Sequence, residues 1–297
     1  MKRWVFSIDT EPRGSENSIN MYSDSWVPNE GTYKAKITRL PILGITYSIR
    51  LHSSEDLFSG IYTFLEHLSD IFHFTISAMK LVLDDFSEQE SRRIIDMFFG
   101  KNSNQNPTKK LTLENHGDIN DQLVQSILKQ QKATCILKLN TELSPEFHFD
   151  LNSLENHVNE ISVHNSEWVS VEDIINLEKA RVLLLIIPTF TYEKIKKLIE
   201  KWRDGWMPKW EQLVIHTHES VDIDTYMLEE FPTINPPERM IQHVESGWIM
   251  GMDDRTAYSM LRRDGSIAKV TTGNAFVILS IYTTTDRQYV DAHSIFK

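Results

Sequence analysis

The sequence predicts an α/β protein, built as a leucine-rich-repeat-like solenoid of about six strand–helix units around a parallel sheet. Two observations predict it: a short strand pattern that recurs at nearly even intervals, and amphipathic helix patterns between its copies. The pattern reads apolar–x–apolar–x–Asp/Asn/Thr, and its copies begin at positions 81, 111, 137, 161, 185 and 213. These intervals lie in or next to the leucine-rich-repeat range of about 20–29 residues.

One face of the predicted sheet is expected to lie in water. Residues two apart in a strand point to the same face, and a sheet covered on both faces gives continuous apolar runs. Here the positions between the apolar residues are mostly polar, which favours a curved solenoid with helices on one face over a doubly wound sheet. Only the run 182–187 is expected to be covered on both sides.

Helix signals separate the strand copies. Residues 87–90 and 170–173 match the capping-box pattern, and Thr191 is expected to cap a third helix that Gly205 and Pro208 close. A weaker helix is predicted to begin at 144–145. The predicted buried stripes are Ile94, Ile95, Phe98 and Phe99, then Leu123, Val124, Ile127 and Leu128, then Ile195, Leu198, Ile199 and Trp202.

The two ends are expected to cap the solenoid, because stacked units leave an open edge at each end. We predict an irregular β cap over 1–50, the solenoid over 51–231 and an antiparallel β cap over 232–297, in one continuous unit. In the first part, strands are expected at 4–8 and 33–37 with a polar stretch between them, and a helix follows over 55–72. In the last part, a turn at 264–265 joins two strands, and 276–282 forms a further strand.

Composition excludes several classes of function. The 297-residue chain carries a net charge of −11, which argues against nucleic acid or an anionic membrane as the main partner. Its longest apolar run is too short to cross a bilayer. The N-terminus has no sustained apolar stretch and Cys135 is the single cysteine, so we expect no secretory leader and a reducing compartment: the cytoplasm, with the nucleus as the alternative.

Candidate chemistry is sparse, and we predict neither an enzyme nor a cofactor or metal site. His216 and His218 would share a strand face, but a stable metal site needs three or four ligands. Ser162 and His164 also share a face, without the turn that a nucleophilic serine needs. Cys135 begins an apolar run, as a buried structural thiol does. A metal-dependent hydrolase stays as the rival interpretation.

Polar residues between the apolar strand positions predict a surface for a partner protein. With the net charge of −11, a basic patch on the partner would be steered towards it. Trp206 follows a helix in a loop and is predicted to be an exposed anchor, whereas Trp168, Trp202 and Trp210 are expected in the core. The predicted surface residues on and beside the strands are Asp84, Thr112, Glu114, Lys138, Asn140, Ser162, His164, Pro188 and His216.

Several segments, taken in order, resemble one family. They are 4–6, 64–72, 165–168 with 171–174, 201–205 with Pro208, and 262–268. The chain is similar along nearly its whole length to the type 2 F-box-associated region, which belongs to a family of F-box proteins expanded in nematodes. The resemblance implies a substrate receptor of an SCF cullin–RING ubiquitin ligase. In such a receptor the F-box binds a Skp-type adaptor and the associated region selects the target protein.

The F-box itself is not evident. In the family it would precede the position of Trp4, so we expect that it was either removed or naturally lost, and that binding remains without ligase recruitment. An alternative places an F-box at 39–43 with the helices that follow over 51–71. A protein that binds or inhibits without recruiting a ligase is the second alternative.

Overall fold

The computed structural model describes residues 3–10, 18–24, 34–40, 44–51, 78–99, 109–117, 120–186, 190–217, 256–262, 264, 266–273 and 275–282. They form a mixed α/β structure. Backbone proximity divides the chain into two compact units, Met1–Ser162 and Val163–Lys297. The boundary falls inside the range 51–231 for which the sequence predicts the solenoid.

The first unit is built on an eight-stranded sheet. Its spatial order is β8-β7-β6-β5-β2-β1-β4-β3. Strands β2, β5, β6 and β7 form a parallel series, whereas the neighbours in β2-β1-β4-β3 are antiparallel: two hairpins, β1–β2 and β3–β4, joined side by side through β1 and β4. The strands are β1 (Arg3–Thr10), β2 (Ser18–Asp24), β3 (Lys34–Leu40), β4 (Gly44–Leu51), β5 (Ala78–Val82), β6 (Lys110–Glu114), β7 (Ile136–Asn140) and β8 (Val158–Val163).

Two helices of this unit follow the predicted patterns. Helix α1 (Glu88–Phe99) begins with a capping box, in which Ser87 N donates to Glu90 Oε2 at 2.8 Å and Glu90 N donates to Ser87 Oγ at 3.4 Å. Helix α2 (Asp121–Gln130) is capped by Asn120, whose side chain accepts from Gln122 N. Both predicted apolar stripes are buried, so these two helices are confirmed.

The N-terminal part is more regular than the sequence suggests. Four strands form there, and β2 occupies the stretch between the two expected strands that the sequence predicts only to be polar. The alternative F-box opening at 39–43 overlaps the end of β3, and of the helical part expected over 51–71 only residue 51, the last of β4, is described. The helix predicted over 55–72 lies outside the described residues.

The helix predicted to begin at 144–145 does not form. Ser144 Oγ donates to Asp121 Oδ2, which holds the segment against α2. Phe147 and Phe149 are both buried although they lie two apart, a spacing that suits extended chain and would place them on opposite sides of a helix. The segment ends in a 3₁₀ turn over Leu151–Ser153.

The second unit combines one parallel strand pair with an antiparallel series. Its spatial order is β9-β10-β13-β12-β11, with β9 and β10 parallel and the other neighbours antiparallel. The hairpin around 264–265 and the strand at 276–282 are thereby confirmed, and β13 covers the second edge of β10. The elements are α3 (Val171–Asn176), β9 (Ala180–Ile186), α4 (Tyr192–Arg203), β10 (Gln212–His216), β11 (Thr256–Leu261), β12 (Ile267–Gly273) and β13 (Phe276–Tyr282).

The helix ends of this unit follow the sequence with one exception. Ser170 and Asp173 form the expected capping box of α3. Thr191 has the extended backbone of a cap, but its hydroxyl accepts no hydrogen bond from α4, so the predicted side-chain cap is wrong. Gly205 closes the helix with φ of 111°, a left-handed conformation that glycine adopts without a steric penalty.

All six copies of the strand pattern overlap strands, but in β5 and β9 the aligned frame begins two residues earlier than the sequence places it. The register aligns Met79 with Leu111 and Leu137, and it aligns Leu183 with Leu213. A shift of two residues keeps every side chain on its face. The inward and outward assignment therefore survives, although the residues at the strand ends change.

Candidate protein-binding surface

The outward side of β5, β6 and β7 forms one surface, which we call the polar sheet face. Along each of these strands, half-exposed residues alternate with buried ones. The parallel register arranges the half-exposed positions in three rows across the strands. The rows are Ala78–Lys110–Ile136, Lys80–Thr112–Lys138 and Val82–Glu114–Asn140.

Glu114 is the centre of the polar contacts on this face. Lys80 Nζ lies 2.7 Å from Glu114 Oε2, with the two side chains 40% and 17% exposed. Asn140 Nδ2 donates to Glu114 Oε1 at 3.4 Å. The carboxylate is thus contacted from the strands on both sides, which fixes its position.

Lys138 is a partly buried cation of the middle row. Burial is the largest cause that lowers the pKa of Lys138, and the positive charge of Lys80 acts in the same direction. The carboxylates of Glu114 and Glu160 oppose the decrease. The Lys138 amine therefore lies on a surface that is partly withdrawn from water, where its interaction with an anion is less screened than on an open surface.

Asp84 does not lie on the polar sheet face. The shifted frame ends β5 at Val82 and places Asp84 in a 3₁₀ turn, where it is exposed. Its Oδ2 accepts a hydrogen bond from His116 N at 2.7 Å, so the carboxylate joins the turn after β5 to the turn after β6. Its predicted position as an outward strand residue is wrong because the strand ends two residues earlier.

The predicted surface also fails at Ser162, which is only 3% exposed. Three consecutive residues of β8, 161–163, are buried, so this end of the strand is covered on both sides. His164 follows the strand and is half-buried, and Asn165 next to it has a positive φ of 49°, which turns the chain. Pro188 lies outside the described residues.

In the second unit the corresponding outward positions are apolar and buried. The register places Leu184, Val214 and Ile278 in one row, and all three are buried in a single cluster with Phe276. The expectation of a water-exposed face is therefore wrong for β10. For β9, the predicted cover on both sides is confirmed, since consecutive residues of that strand are buried.

His216 lies in the adjacent row of the same face, between Ile186 on β9 and Phe276 on β13. The imidazole ring is half-buried, with its centroid 6.2 Å from that of Phe276. Burial lowers the pKa of His216, because the charged form loses hydration there. The residue is therefore better suited to remain neutral than to present a charge to a partner.

Trp206 is half-buried rather than fully exposed. Its ring meets that of Trp210 edge-on, with centroids 5.8 Å apart. Trp168, Trp202 and Trp210 are buried, as predicted. Trp210 Nε1 donates to Ile174 O at 2.9 Å, so this indole also bridges two segments of the core.

Arg262 holds the Trp206 loop in place. Its Nη1 donates to Trp202 O at 2.8 Å and to Trp206 O at 3.0 Å, and its guanidinium lies 5.3 Å from the Trp202 ring centroid. Nε donates to Asp264 Oδ2 at 3.0 Å, and this pairing keeps the pKa of Asp264 well below its usual range. A nearly buried arginine thereby connects the C-terminal end of α4 to the β11–β12 turn.

Sequence reasoning missed Lys80 and Lys110, although both lie on the polar sheet face. The predicted frame began at 81 and 111, one residue after each lysine. The signal that identifies them is the alternation itself, since Lys80 lies between the buried Met79 and Leu81. Counting outward positions in both directions from the buried residues finds both lysines.

Two further observations bear on possible chemistry. Within the described ranges, no three His, Cys, Asp or Glu side chains lie together as a metal site requires, and His218 is outside those ranges. In the same part of the chain, no helix is both long and apolar enough to cross a bilayer.

Comparison with protein families, curated proteins and solved structures gives no match for this chain.

Proposed function

We propose that the chain is a protein-binding module that selects a target protein through the polar sheet face. The observation that carries the proposal is the register of β5, β6 and β7, which brings Lys80, Thr112 and Lys138 into one half-exposed row. Polar side chains held in line by strands form a preorganised surface, because the sheet has already fixed their backbones.

The shape of the face favours a folded or extended protein partner over a small molecule. Three neighbouring strands about 4.8 Å apart give a broad sheet surface with mixed polar and apolar character. Small-molecule sites are concave and mostly apolar, with few polar groups. We further propose the finer architecture, a leucine-rich-repeat-like solenoid, supported by the parallel register of β5–β6–β7 and the 26-residue interval between β6 and β7.

The resemblance to the type 2 F-box-associated region gives the module its proposed biological context, that of a substrate receptor of an SCF ubiquitin ligase. Two of the segments that carry the resemblance, 201–205 and 262–268, meet in the structure where Arg262 donates to Trp202 O. Their contact gives both segments a shared structural role. The alternative in which the module binds or inhibits without ligase recruitment uses the same surface.

Affinity capture from cell extract with matched variants tests the proposal. Thr112→Trp places a bulky side chain at the centre of the polar sheet face, and tryptophan is well tolerated in strands. Gln122→Trp makes the same change at an exposed position on α2. A genuine partner, identified by mass spectrometry, should be retained by the wild type and by Gln122→Trp and lost by Thr112→Trp. Equal retention by all three proteins would refute the surface.

Co-purification with a Skp-type adaptor separates the two contexts. A ligase receptor that carries its F-box should hold both the adaptor and the target. A module that acts without recruitment should hold the target alone. Retention of the adaptor by this chain alone would contradict the expectation that its F-box is missing.

A further inference from the structure

We propose that the segment of the partner that docks on the polar sheet face is acidic, an extended run of Asp or Glu side chains seated on Lys80, Lys110 and Lys138. The inference rests on the proposed function, because it assigns a chemistry to the partner of that same surface. It reverses the expectation that the whole-chain charge gives.

The charges of the face are opposite to those of the chain as a whole. Lys80, Lys110 and Lys138 supply three positive charges there against the single negative charge of Glu114, whereas the chain carries −11. Glu160 on β8 adds a second carboxylate near Lys138. Even with it included, the face is net positive within a strongly negative protein.

Screening by salt decides whether a docked partner experiences the net charge of the whole chain or the local charge of the polar sheet face. At physiological ionic strength the Debye length is about 8 Å, so exposed charges further away contribute little. A peptide in contact with β5–β7 lies within that distance of the three lysines. The overall negative charge acts mainly on the approach at low salt, and the local positive charge acts on the complex.

The row geometry suits an extended acidic chain. Lys80 and Lys138 flank β6, so their backbones are about 10 Å apart at the usual strand spacing. In an extended segment of polyproline II conformation, which has three residues per turn and a rise of about 3.1 Å per residue, acidic residues three apart lie on the same side and repeat at a similar distance, about 9 Å. Lys110 lies in the adjacent row on the central strand, where it can meet a carboxylate between the other two.

Glu114 sets the limit of the acidic site. Its carboxylate is already contacted by Lys80 and Asn140. Glu114 is the charged member of the third row, between Val82 and Asn140. An acidic segment is therefore repelled from this row and attracted to the other two. The asymmetry gives the bound segment a preferred position on the sheet.

A peptide-binding measurement with the full chain tests the inference. The probe is a fluorescent peptide of about 12 residues with Glu at every third position, which is long enough to cross the three strands, and its Gln counterpart is the control. We expect the Glu peptide to bind near 0.15 M salt and the Gln peptide to bind at least roughly tenfold more weakly, by fluorescence anisotropy.

Charge-matched variants locate the binding. Lys110→Glu with Lys138→Glu reverses two charges on the face, whereas Lys129→Glu with Lys209→Glu reverses two exposed lysines elsewhere. Both proteins carry the same net charge, so only position differs. We expect roughly tenfold weaker binding of the Glu peptide to the first variant and little change for the second. Thermal melting of both variants verifies that they remain folded.

Three results would overturn the inference: equal losses in the two variants, no binding of the Glu peptide to the wild type, and tighter binding of single-stranded DNA than of the Glu peptide through the same lysines. The partner captured from cell extract distinguishes a failure of this inference from a failure of the proposed function. A partner lost by Thr112→Trp but unaffected by the two lysine reversals leaves the docking surface intact and refutes its acidic preference. A partner unaffected by either change refutes both.

Discussion

The middle rows of the two units share a strand pattern and differ in environment. In the first unit, Lys80–Thr112–Lys138 crosses three parallel strands and stays half-exposed. In the second, the row Leu184–Val214–Ile278 crosses β9, β10 and β13 and is buried. The inward residues on the opposite face are large and apolar in both units.

The difference shows that the apolar repeat specifies where the strands form but not whether the outward face of the sheet is exposed or buried. Leucine or isoleucine at alternate positions supplies one buried side in either unit. The residue between them decides whether the second side is hydrated or covered, since a lysine or threonine is costly to bury and a valine or leucine gains from burial. Function is therefore proposed only for the face with polar residues between the apolar ones.

The largest predicted effect comes from one substitution made in both rows. Val214→Lys buries a charge without a partner in the apolar cluster, so we expect a loss of about 3–5 kcal/mol in the free energy of unfolding. Thr112→Lys should cost no more than about 1 kcal/mol, because that position is half-exposed and only the repulsion from Lys80 and Lys138 opposes it. Chemical denaturation measures both values, and equal losses would mean that the two faces do not differ.

A smaller difference is expected between two arginines. Arg262 is 9% exposed and bonds two main-chain carbonyls, so Arg262→Gln should cost about 2–3 kcal/mol by denaturation. Arg92 pairs with Glu88 on the exposed side of α1, and Arg92→Gln should cost clearly less. A loss for Arg92→Gln that matches that for Arg262→Gln would show that the Arg262 contacts are not a special constraint of the second unit.

Helix caps should not distinguish the two units. Ser87→Ala and Ser170→Ala each remove a capping box and should each cost about 1 kcal/mol. Thr191→Ala should cost less than about 0.5 kcal/mol, since its hydroxyl makes no capping bond. Thermal unfolding of the three variants ranks them, and a larger loss for Thr191→Ala than for Ser170→Ala would contradict the hydrogen-bond pattern.

The smallest effect concerns acid sensitivity. Because burial lowers the pKa of His216, the unfolded chain takes up a proton near its ordinary pKa of about 6.5 while the folded protein does so only at lower pH. Acidification below about pH 6.5 therefore favours unfolding, and His216→Gln should reduce the loss of melting temperature between about pH 7.5 and pH 5. His148→Gln, at an exposed position in the first unit, is the control and should leave that loss unchanged.

The sequence predicted the elements better than it predicted the surfaces. Alternation and capping patterns are local, so the six strands, the capping boxes and the hairpin around 264–265 could be identified. The frame of β5 could not, because two further apolar residues follow its last inward position and only pairing with β6 shows where the strand ends. That two-residue error added Asp84 to the predicted surface and omitted Lys80.

The other misses depend on contacts between distant residues. Ser162 is polar in sequence and yet buried in the structure, as are the residues on either side of it in β8. The contact between Arg262 and the main chain of Trp202 joins residues 60 positions apart, a distance over which no sequence spacing gives a signal. Binding specificity belongs to the same class, since it depends on which side chains the register brings together.

Thiol labelling measures the central difference directly. In a Cys135→Ser background, Thr112→Cys and Val214→Cys introduce one thiol each at the centre of the two rows, and labelling of the native protein by a maleimide is followed by mass spectrometry. We expect the thiol of Thr112→Cys to react readily, and that of Val214→Cys to react roughly 100-fold more slowly because labelling requires local opening. Comparable rates for the two thiols would contradict the contrast between an open polar face and a buried apolar one.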